Sequence, residues 1–198
     1  MSTRAMIGIY GRPKDQRKGI VAKSYSGKEI KTNTERVQGV YSHFDGYPTG
    51  LGIELQRWAY TRRKALRLIE GGDISAIDWK TGMVHYYADR YDWARWNHLK
   101  KEYELEKDRG GTDEPWEDVK PKTYYNGNEF VVNSLAGKSM IEFVYLFDDD
   151  KWRCFGSRYG HNNIIEYDMD IKYLLKWRKS DDYPKNGFRT LKKKVEIV

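Results

Sequence analysis

The stretch "SMIEFVYLFDDDKWRCFG", residues 139–156, decides the fold. Two runs of β-forming residues flank three aspartates at positions 148–150, a pattern typical of a β-hairpin with an acidic turn. The following segment, 162–180, fits either one amphipathic helix or a strand and then a helix. The last residues, "LKKKVEIV" at 191–198, fit a short terminal strand or a tail.

Three strands are predicted near the start of the chain. "RAMIGIYG" (4–11) and "GIVAKSYS" (19–26) have strand composition, and the basic, proline-containing segment between them suggests a solvated hairpin loop. The third strand, "RVQGVYSHF", spans 36–44. Because side chains alternate along a strand, Tyr41 and His43 are expected on the same face.

The clearest helix pattern is "TGLGIELQRWAYTRRKALRLIEGG", residues 49–72. We expect one amphipathic helix with Thr49 as its N-cap and the glycine pair 71–72 as its stop. The side chains expected to be buried by this helix are Leu55, Trp58, Leu66 and Ile69. Arg57 and Lys64 lie on a different face, which is either a solvated surface or part of an anion site.

Together these elements predict one α+β domain over 1–198. Its antiparallel or mixed sheet combines the N-terminal strands with the 140–156 hairpin, and one main amphipathic helix packs on it. Residues 72–96 fit a short strand followed by a helix. The polar segment 98–122 is dense in both charges and broken by glycines and prolines, so we expect a helix end and an exposed connection there.

Composition limits the classes of function. The chain has 36 basic and 29 acidic side chains, a formal charge of +7, which favours approach to polyanions and disfavours an acidic mimic of DNA. A single cysteine, Cys154, excludes an internal disulfide and a cysteine-based zinc cluster, and fits a reducing cytoplasm. No apolar run approaches the about 20 residues of a membrane span, and no secretory signal precedes the first strand, so a soluble cytoplasmic protein without a membrane partner is expected.

Candidate site residues concentrate in "YSHFDGYPTG", residues 41–50. An unperturbed histidine side chain titrates near neutral pH, so His43 is the candidate acid–base group, and Asp45 could orient it, act as a base or bind a cation. The segment fits a ligand-contacting loop and fits equally a strand-to-helix corner, since Asp-Gly is a turn pair. If the protein is an enzyme, His43 and Asp45 are its catalytic candidates, but two residues without a third partner form a weak signature, so binding is favoured over catalysis.

The same loop supplies backbone amides, that of Gly46 among them, to a helix start where anions bind readily. Aromatic side chains could stack on a base, and the basic helix face could pair with phosphate. The predicted ligand-binding residues are Tyr41, His43, Asp45, Gly46, Tyr47, Arg57 and Lys64. The histidines are too scattered for a metal site, and no phosphate or dinucleotide fingerprint is present, so neither a metal nor a cofactor is expected.

Three motifs carry a resemblance to a known family. "YSHFDGYP" (41–48), "GDIS" (72–75) and "FDDDKW" (147–152) occur in this order, with Phe44 where tryptophan is common. The series resembles a family of small, uncharacterised bacteriophage proteins that carry Tyr-x-His-x-Asp-Gly-Tyr-Pro, Gly-Asp-Ile-Ser and Phe-Asp-Asp-x-Lys-Trp segments. The resemblance implies a phage accessory protein in the host cytoplasm, and such proteins often counter host defence.

Several functions remain open on these grounds. The leading hypothesis is an anti-defence protein that binds and sequesters an anionic nucleotide-type ligand or immune signal. The alternatives are a phosphodiesterase or nuclease that uses His43 and Asp45, and an inhibitor of a host defence protein whose anchors include Trp93 and Trp96. Direct nucleic-acid binding is a fourth hypothesis, and a homo-oligomer with a shared pocket is conceivable.

Overall fold

The computed structural model describes the residues 3–13, 16, 19–23, 29–33, 35–88, 94–97, 102–105, 115–136, 140–148, 150–157, 164–178 and 188–192. Within 19–23, 29–33, 94–97 and 102–105, and at Lys192, only the backbone is considered.

Strands and helices alternate irregularly along the chain. The strands are β1 (Arg4–Tyr10), β2 (Gly19–Lys23), β3 (Glu29–Asn33), β4 (Val37–Ser42), β5 (Ile74–Ile77), β6 (Val84–Tyr86), β7 (Ala94–Asn97), β8 (Glu102–Leu105), β9 (Lys122–Tyr124), β10 (Ile141–Asp148), β11 (Lys151–Ser157), β12 (Ile164–Tyr167) and β13 (Thr190–Lys192). The helices are α1 (Ile53–Trp58), α2 (Arg62–Glu70), α3 (Trp116–Val119), α4 (Gly127–Ala136) and α5 (Ile171–Arg178), and a π-helical turn, Pro48–Gly52, precedes α1.

A mixed sheet forms the centre of the molecule. In the described part of the chain it has nine strands in the order β13-β12-β11-β10-β1-β4-β5-β6, with β9 paired to the first half of β4. β1 runs parallel to β10 and antiparallel to β4. The predicted α+β fold with a mixed sheet is therefore confirmed. The predicted 139–156 hairpin is also confirmed, because β10 and β11 pair antiparallel around the acidic turn.

Helices cover both faces of this sheet. The first face carries a core against which the π-helical turn, α1 and α2 pack; its largest strand residues are Ile7, Ile9, Tyr145, Phe147 and Trp152. The second face is covered by α4, whose Phe130, Val131 and Leu135 pack on strand residues that include Val37 and Val144. Burial on both faces explains why β1 and β10 are almost continuously apolar rather than alternating.

The predicted hairpin between the first two strands is wrong. β2 pairs with β3 in a separate two-stranded sheet, and β1 takes its neighbours from β4 and β10. The alternation of side chains along a strand does not specify which other strand it pairs with, since any exposed strand edge can pair with another. The apolar side chains of β1 nevertheless predicted a strand there, and this strand is buried in the core.

The predicted single helix over 49–72 is two helices. Ala59 ends α1, and its carbonyl accepts a hydrogen bond from the buried Trp152 indole at 2.9 Å, so it is not used for a continuing helical turn. Thr61 then caps α2 by accepting from the backbone amide of Lys64. The expected N-cap Thr49 is also wrong, because it lies inside the π-helical turn, which Pro48 begins.

Burial along these helices partly follows the prediction. Leu55 and Ile69 are fully buried, whereas Trp58 and Leu66 are half-buried. The Trp58 indole donates to Glu54 at 2.8 Å, and Glu54 also pairs with Arg178 of α5. Glu54 is 2% exposed, so a buried carboxylate with two donors ties α1 to the C-terminal helix.

The middle of the chain departs from the sequence prediction. β5 is followed by β6 rather than by a helix, and 94–97 and 102–105 pair as β7 and β8. Within 98–122, residues 98–101 and 106–114 lie outside the described residues. Val119 of α3 is buried and its carbonyl accepts the amide of Asp73, so this part is not merely an exposed connection. α4 was missed, whereas the strand-then-helix alternative for 162–180 is confirmed by β12 and α5.

Two facing glycines let α4 approach the sheet. Gly8 and Gly39 are direct partners in the β1–β4 ladder, and the Phe130 ring lies over both. A Cβ at either position would meet a Phe130 ring carbon at 2.5 Å. The backbone of both strands therefore serves as the floor of a slot for an aromatic ring, whose edge also meets Tyr124 at a centroid distance of 4.9 Å.

We expect Gly39→Ala to lower the free energy of unfolding by about 1–3 kcal/mol, because the added methyl overpacks the slot that holds Phe130. Urea denaturation of the single variant, of Phe130→Leu and of the double variant measures the coupling. The smaller, flexible leucine should relieve part of the Gly39→Ala penalty. Strictly additive losses in the double variant would contradict the slot.

None of the helices in the described part of the chain has the length and apolar character needed to cross a bilayer.

Candidate functional site

The histidine-containing segment begins where β4 ends. The amide of His43 donates to the Ile74 carbonyl and the amide of Phe44 to the Ser75 carbonyl, so both residues stay attached to β5. Asp45 then adopts a left-handed conformation with φ of 53°. Because the extended backbone ends before Asp45, the two-residue period does not relate the side chains of His43 and Asp45.

Residues 45–52 form a corner that is strongly hydrogen-bonded to its surroundings. The amide of Gly46 donates to the Thr3 carbonyl, and the buried Tyr145 hydroxyl donates to the Gly46 carbonyl at 2.7 Å. A Cβ at Gly46 would lie 2.8 Å from the Thr3 carbonyl oxygen, so a side chain does not fit there. Burial raises the pKa of Tyr145 well above its ordinary value and keeps this phenol a donor.

The amides at the helix start are used within the corner. Leu51 donates to the Asp45 carbonyl, and Gly50 and Gly52 donate to the Tyr47 carbonyl. Pro48 has no amide hydrogen. The amides of Gly50, Leu51 and Gly52 are thus already paired within the corner, and the expected binding of an anion at this turn stays a prediction.

An aromatic patch lies beside the corner, on the second face of the sheet. We define it by the His43 ring and the three rings around it. The centroid of the His43 ring lies 5.9 Å from that of Tyr41, 4.3 Å from that of Phe44 and 6.3 Å from that of Tyr87. His43 is half-buried, while Phe44 is 45% exposed. The patch thus combines a supported interior with an exposed ring face, as a surface that stacks on a flat ligand requires.

Charged groups flank the patch. Asp73 accepts a hydrogen bond from the amide of Tyr41 at 2.7 Å, and strand alternation places Arg4 on the same face of β1 as Met6, the partner of Tyr41. Burial raises the pKa of the Tyr41 phenol; the charge of Arg4 lowers it and that of Asp73 raises it. The Tyr41 hydroxyl is therefore protonated at neutral pH and can donate a hydrogen bond.

The structure does not bring the seven predicted ligand-binding residues together. Tyr41 and His43 share the second face, as their spacing predicted, and Asp45 and Gly46 form the adjacent corner. Tyr47 packs on the first-face core, with its ring centroid 6.0 Å from that of Phe143.

The two predicted cations belong to helices on the first face. The Arg57 guanidinium lies 5.6 Å from the Trp58 ring centroid and donates to the Trp79 carbonyl at 3.4 Å. The Lys64 ammonium lies 4.2 Å above the Tyr60 ring. These contacts do not test whether Arg57 and Lys64 bind a ligand, so their binding roles stay predictions. Neither residue belongs to the aromatic patch.

Sequence reasoning missed Arg4, Phe44, Asp73 and Tyr87 as neighbours of His43. In a regular strand Phe44 would lie on the face opposite to His43, but its ring reaches His43 because the extended backbone ends there. Tyr87 arrives through the pairing of β5 with β6 and of β5 with β4, which the sequence does not specify. The one available signal was the polar "GDIS" segment, which supplies Asp73 and the β5 partner of this corner.

A separate cavity of about 320 Å³ opens on the first face, between α1, the β10–β11 turn and β12. Its lining residues are Gln56, Tyr60, Phe147, Asp150, Lys151, Trp152, Arg153, Glu166, Tyr167, Asp168, Met169, Asp170 and Leu191. None of the seven predicted ligand-binding residues is among them. In this lining, aromatic rings are interspersed with charged side chains.

No match to this chain is found among protein-family models, curated proteins or solved structures. Among the described residues, no group of three or more histidine, cysteine, aspartate or glutamate side chains is arranged to hold a metal ion. Cys154 is buried, and burial raises the pKa of its thiol, with a smaller lowering by the Tyr145 hydrogen bond, so it is not an activated nucleophile.

We expect Tyr145→Phe to lower the free energy of unfolding by about 1–3 kcal/mol, because it removes the buried donor to the Gly46 carbonyl. Chemical denaturation measures the change. Tyr125→Phe is the matched control, since Tyr125 is 61% exposed and should change stability little. Equal effects of the two substitutions would show that the corner does not depend on this hydrogen bond.

Proposed function

We propose that this protein binds an anionic nucleotide-type ligand on the aromatic patch and sequesters it without chemical change. The observation that carries the proposal is the arrangement around His43, where three further rings surround a half-buried imidazole and Phe44 presents an exposed face. A nucleobase has two flat faces and stacks on such rings with little dependence on its identity.

Recognition of the charged part of the ligand involves the neighbours of the patch. Arg4 supplies a guanidinium on the same face as Tyr41, and guanidinium groups pair with phosphate through two parallel hydrogen bonds. The protonated Tyr41 hydroxyl adds a donor. The overall charge of +7 favours the approach of an anion, although Asp73 limits where the phosphate can lie.

Capture is favoured over turnover by the geometry of the two catalytic candidates. His43 is surrounded by aromatic rings, and the Asp45 backbone is turned into the corner that Leu51 and Gly50 close. An acid–base pair requires both groups within hydrogen-bond reach of one reacting atom. The phosphodiesterase or nuclease hypothesis has no comparable support from the corner.

The biological role that we propose is that of a phage accessory protein which removes a nucleotide immune signal of the host. The proposal combines the motif resemblance with the positions of two of its motifs. "YSHFDGYP" and "GDIS" lie side by side, since Ser42 pairs with Ile74 and the His43 and Phe44 amides bond to β5. Two segments distant in sequence thus contribute to one surface.

The first experiment incubates the purified protein with a panel of cyclic and linear nucleotides that includes ADP-ribose derivatives. Bound and free ligand are separated, the complex is heat-denatured, and the released compounds are analysed by mass spectrometry. We expect intact ligand in stoichiometric amount. An altered ligand would replace capture with catalysis and implicate His43 and Asp45. No bound ligand would overturn the proposal in favour of a host protein or nucleic-acid partner.

For a nucleotide found in this way, we expect Phe44→Ala to weaken binding by about tenfold or more, because one base stacked on an aromatic ring contributes about 1–3 kcal/mol. Isothermal titration calorimetry measures the dissociation constant. Tyr125→Ala is the matched control, since it removes an exposed ring on a different surface. If Phe44→Ala binds as tightly as the control, the ligand lies elsewhere on the molecule.

A further inference from the structure

The first-face cavity has a preformed aromatic floor. Trp152 is 4% exposed, and its indole nitrogen is fixed by the Ala59 carbonyl. The Phe147 ring meets it edge-on at a centroid distance of 5.0 Å, and Tyr167 packs on the same core. Tyr60, 53% exposed, stands at the mouth. Part of this floor comes from "FDDDKW", a motif that the aromatic patch does not use.

Arg153, one of the two basic residues in the cavity wall, directs its charge to the other face of the sheet. Arg153 donates to both carboxylate oxygens of Glu166, at 2.8 and 2.9 Å, and its guanidinium lies 4.8 Å from the Phe155 ring centroid. Phe155 belongs to the second-face core. By strand alternation, Lys151 shares the side of Arg153, whereas Trp152 faces the cavity.

The charged side chains left at the mouth are mostly acidic. Asp150, Asp168 and Asp170 line the cavity, and Arg189 pairs with Asp168 and lies 3.6 Å from Asp170. Asp168 and Asp170 share the half-exposed Arg189 guanidinium. With Asp150 and Glu166, the lining holds four carboxylates against two basic side chains, Lys151 and Arg153, so its net charge is negative in a protein whose formal charge is +7. The carboxylates would repel a nucleotide phosphate here, so the cavity and the aromatic patch are expected to bind ligands of opposite charge.

Aromatic rings beside carboxylates form a recognisable site for an organic cation. Ring faces attract ammonium and guanidinium groups, and the Lys64 ammonium already lies 4.2 Å above Tyr60. The volume of about 320 Å³ exceeds what a bare amine needs and accommodates an attached apolar stem. The exposed edge of Trp152 and the half-buried Tyr167 ring offer that stem an apolar contact.

We propose that this cavity binds an ammonium or guanidinium group carried on an apolar stem, as a site distinct from the nucleotide surface. The stem lies on the aromatic floor, and the cation lies at the mouth between Tyr60 and the aspartates. Two sources share this chemistry: a free polyamine and the arginine or lysine side chain of a peptide.

The decisive comparison uses arginine amide and citrulline amide, which have nearly the same shape but differ in the charge of the side chain. Calorimetric titration of the full chain should detect binding of arginine amide and at least about a fivefold weaker binding of citrulline amide. Equal binding of the two compounds, or binding of neither, would overturn the proposal.

Single substitutions test whether arginine amide binds in the cavity. Asp150→Asn and Asp170→Asn should each weaken binding of arginine amide, since both aspartates are exposed at the mouth and their loss lowers the negative charge. Asp118→Asn, an exposed position on α3, is the matched control. Phe44→Ala should leave this binding unchanged, so failure here and failure of nucleotide binding are independent results. Weakening by Asp118→Asn to the same extent would indicate a general charge effect and overturn the site.

Two further titrations distinguish the sources. Spermidine tests the free polyamine, and a short capped peptide with one central arginine tests the peptide side chain. Tighter binding of the peptide than of arginine amide supports a peptide source, because flanking backbone adds contacts. Tighter binding of spermidine supports a polyamine, whose several ammonium groups can reach more than one aspartate.

Discussion

The parallel pairing of β1 with β10 is the interaction on which the rest of the structure depends. Residues from Ala5 to Ile9 lie in continuous register with Phe143 to Phe147, and both strands are buried on both faces. This ladder joins a strand at the start of the chain to a hairpin more than 130 residues later. α1 and α2 pack on one face of the sheet that this ladder forms, and α4 packs on the other, so both cores depend on the same strand pair.

The same two strands anchor the corner that carries the candidate site. The carbonyl of Thr3, just before β1, accepts the Gly46 amide, and Tyr145 of β10 donates to the Gly46 carbonyl. The corner beside the aromatic patch is therefore held by two strands that are almost wholly buried. A surface held in this way loses little conformational entropy when a flat ligand stacks on it, which suits capture. The cavity on the opposite face depends on β10 as well, through the turn that leads into Trp152.

The candidate site could be predicted only in part. The period of β4 correctly placed Tyr41 and His43 on one face, because alternation is a local property of an extended backbone. Tyr47, Arg57 and Lys64 were grouped with them because the loop leads into a helix with a basic face, but the corner carries the chain to the other face of the sheet before these residues occur. The neighbours of His43 that matter most, Phe44 and Tyr87, depend on where the strand ends and on a pairing with β5 and β6.

The sequence by itself determined local elements, namely the β10–β11 hairpin around its aspartates and the apolar β1, whereas it left 162–180 open between one helix and a strand followed by a helix. These follow from residue propensity and periodicity, which act over a few neighbours. Only the tertiary structure decided that β1 pairs with β10 rather than β2, and that the 49–72 helix breaks where Trp152 takes the Ala59 carbonyl. Both outcomes depend on contacts between residues about 90 or more positions apart, and no local pattern records them.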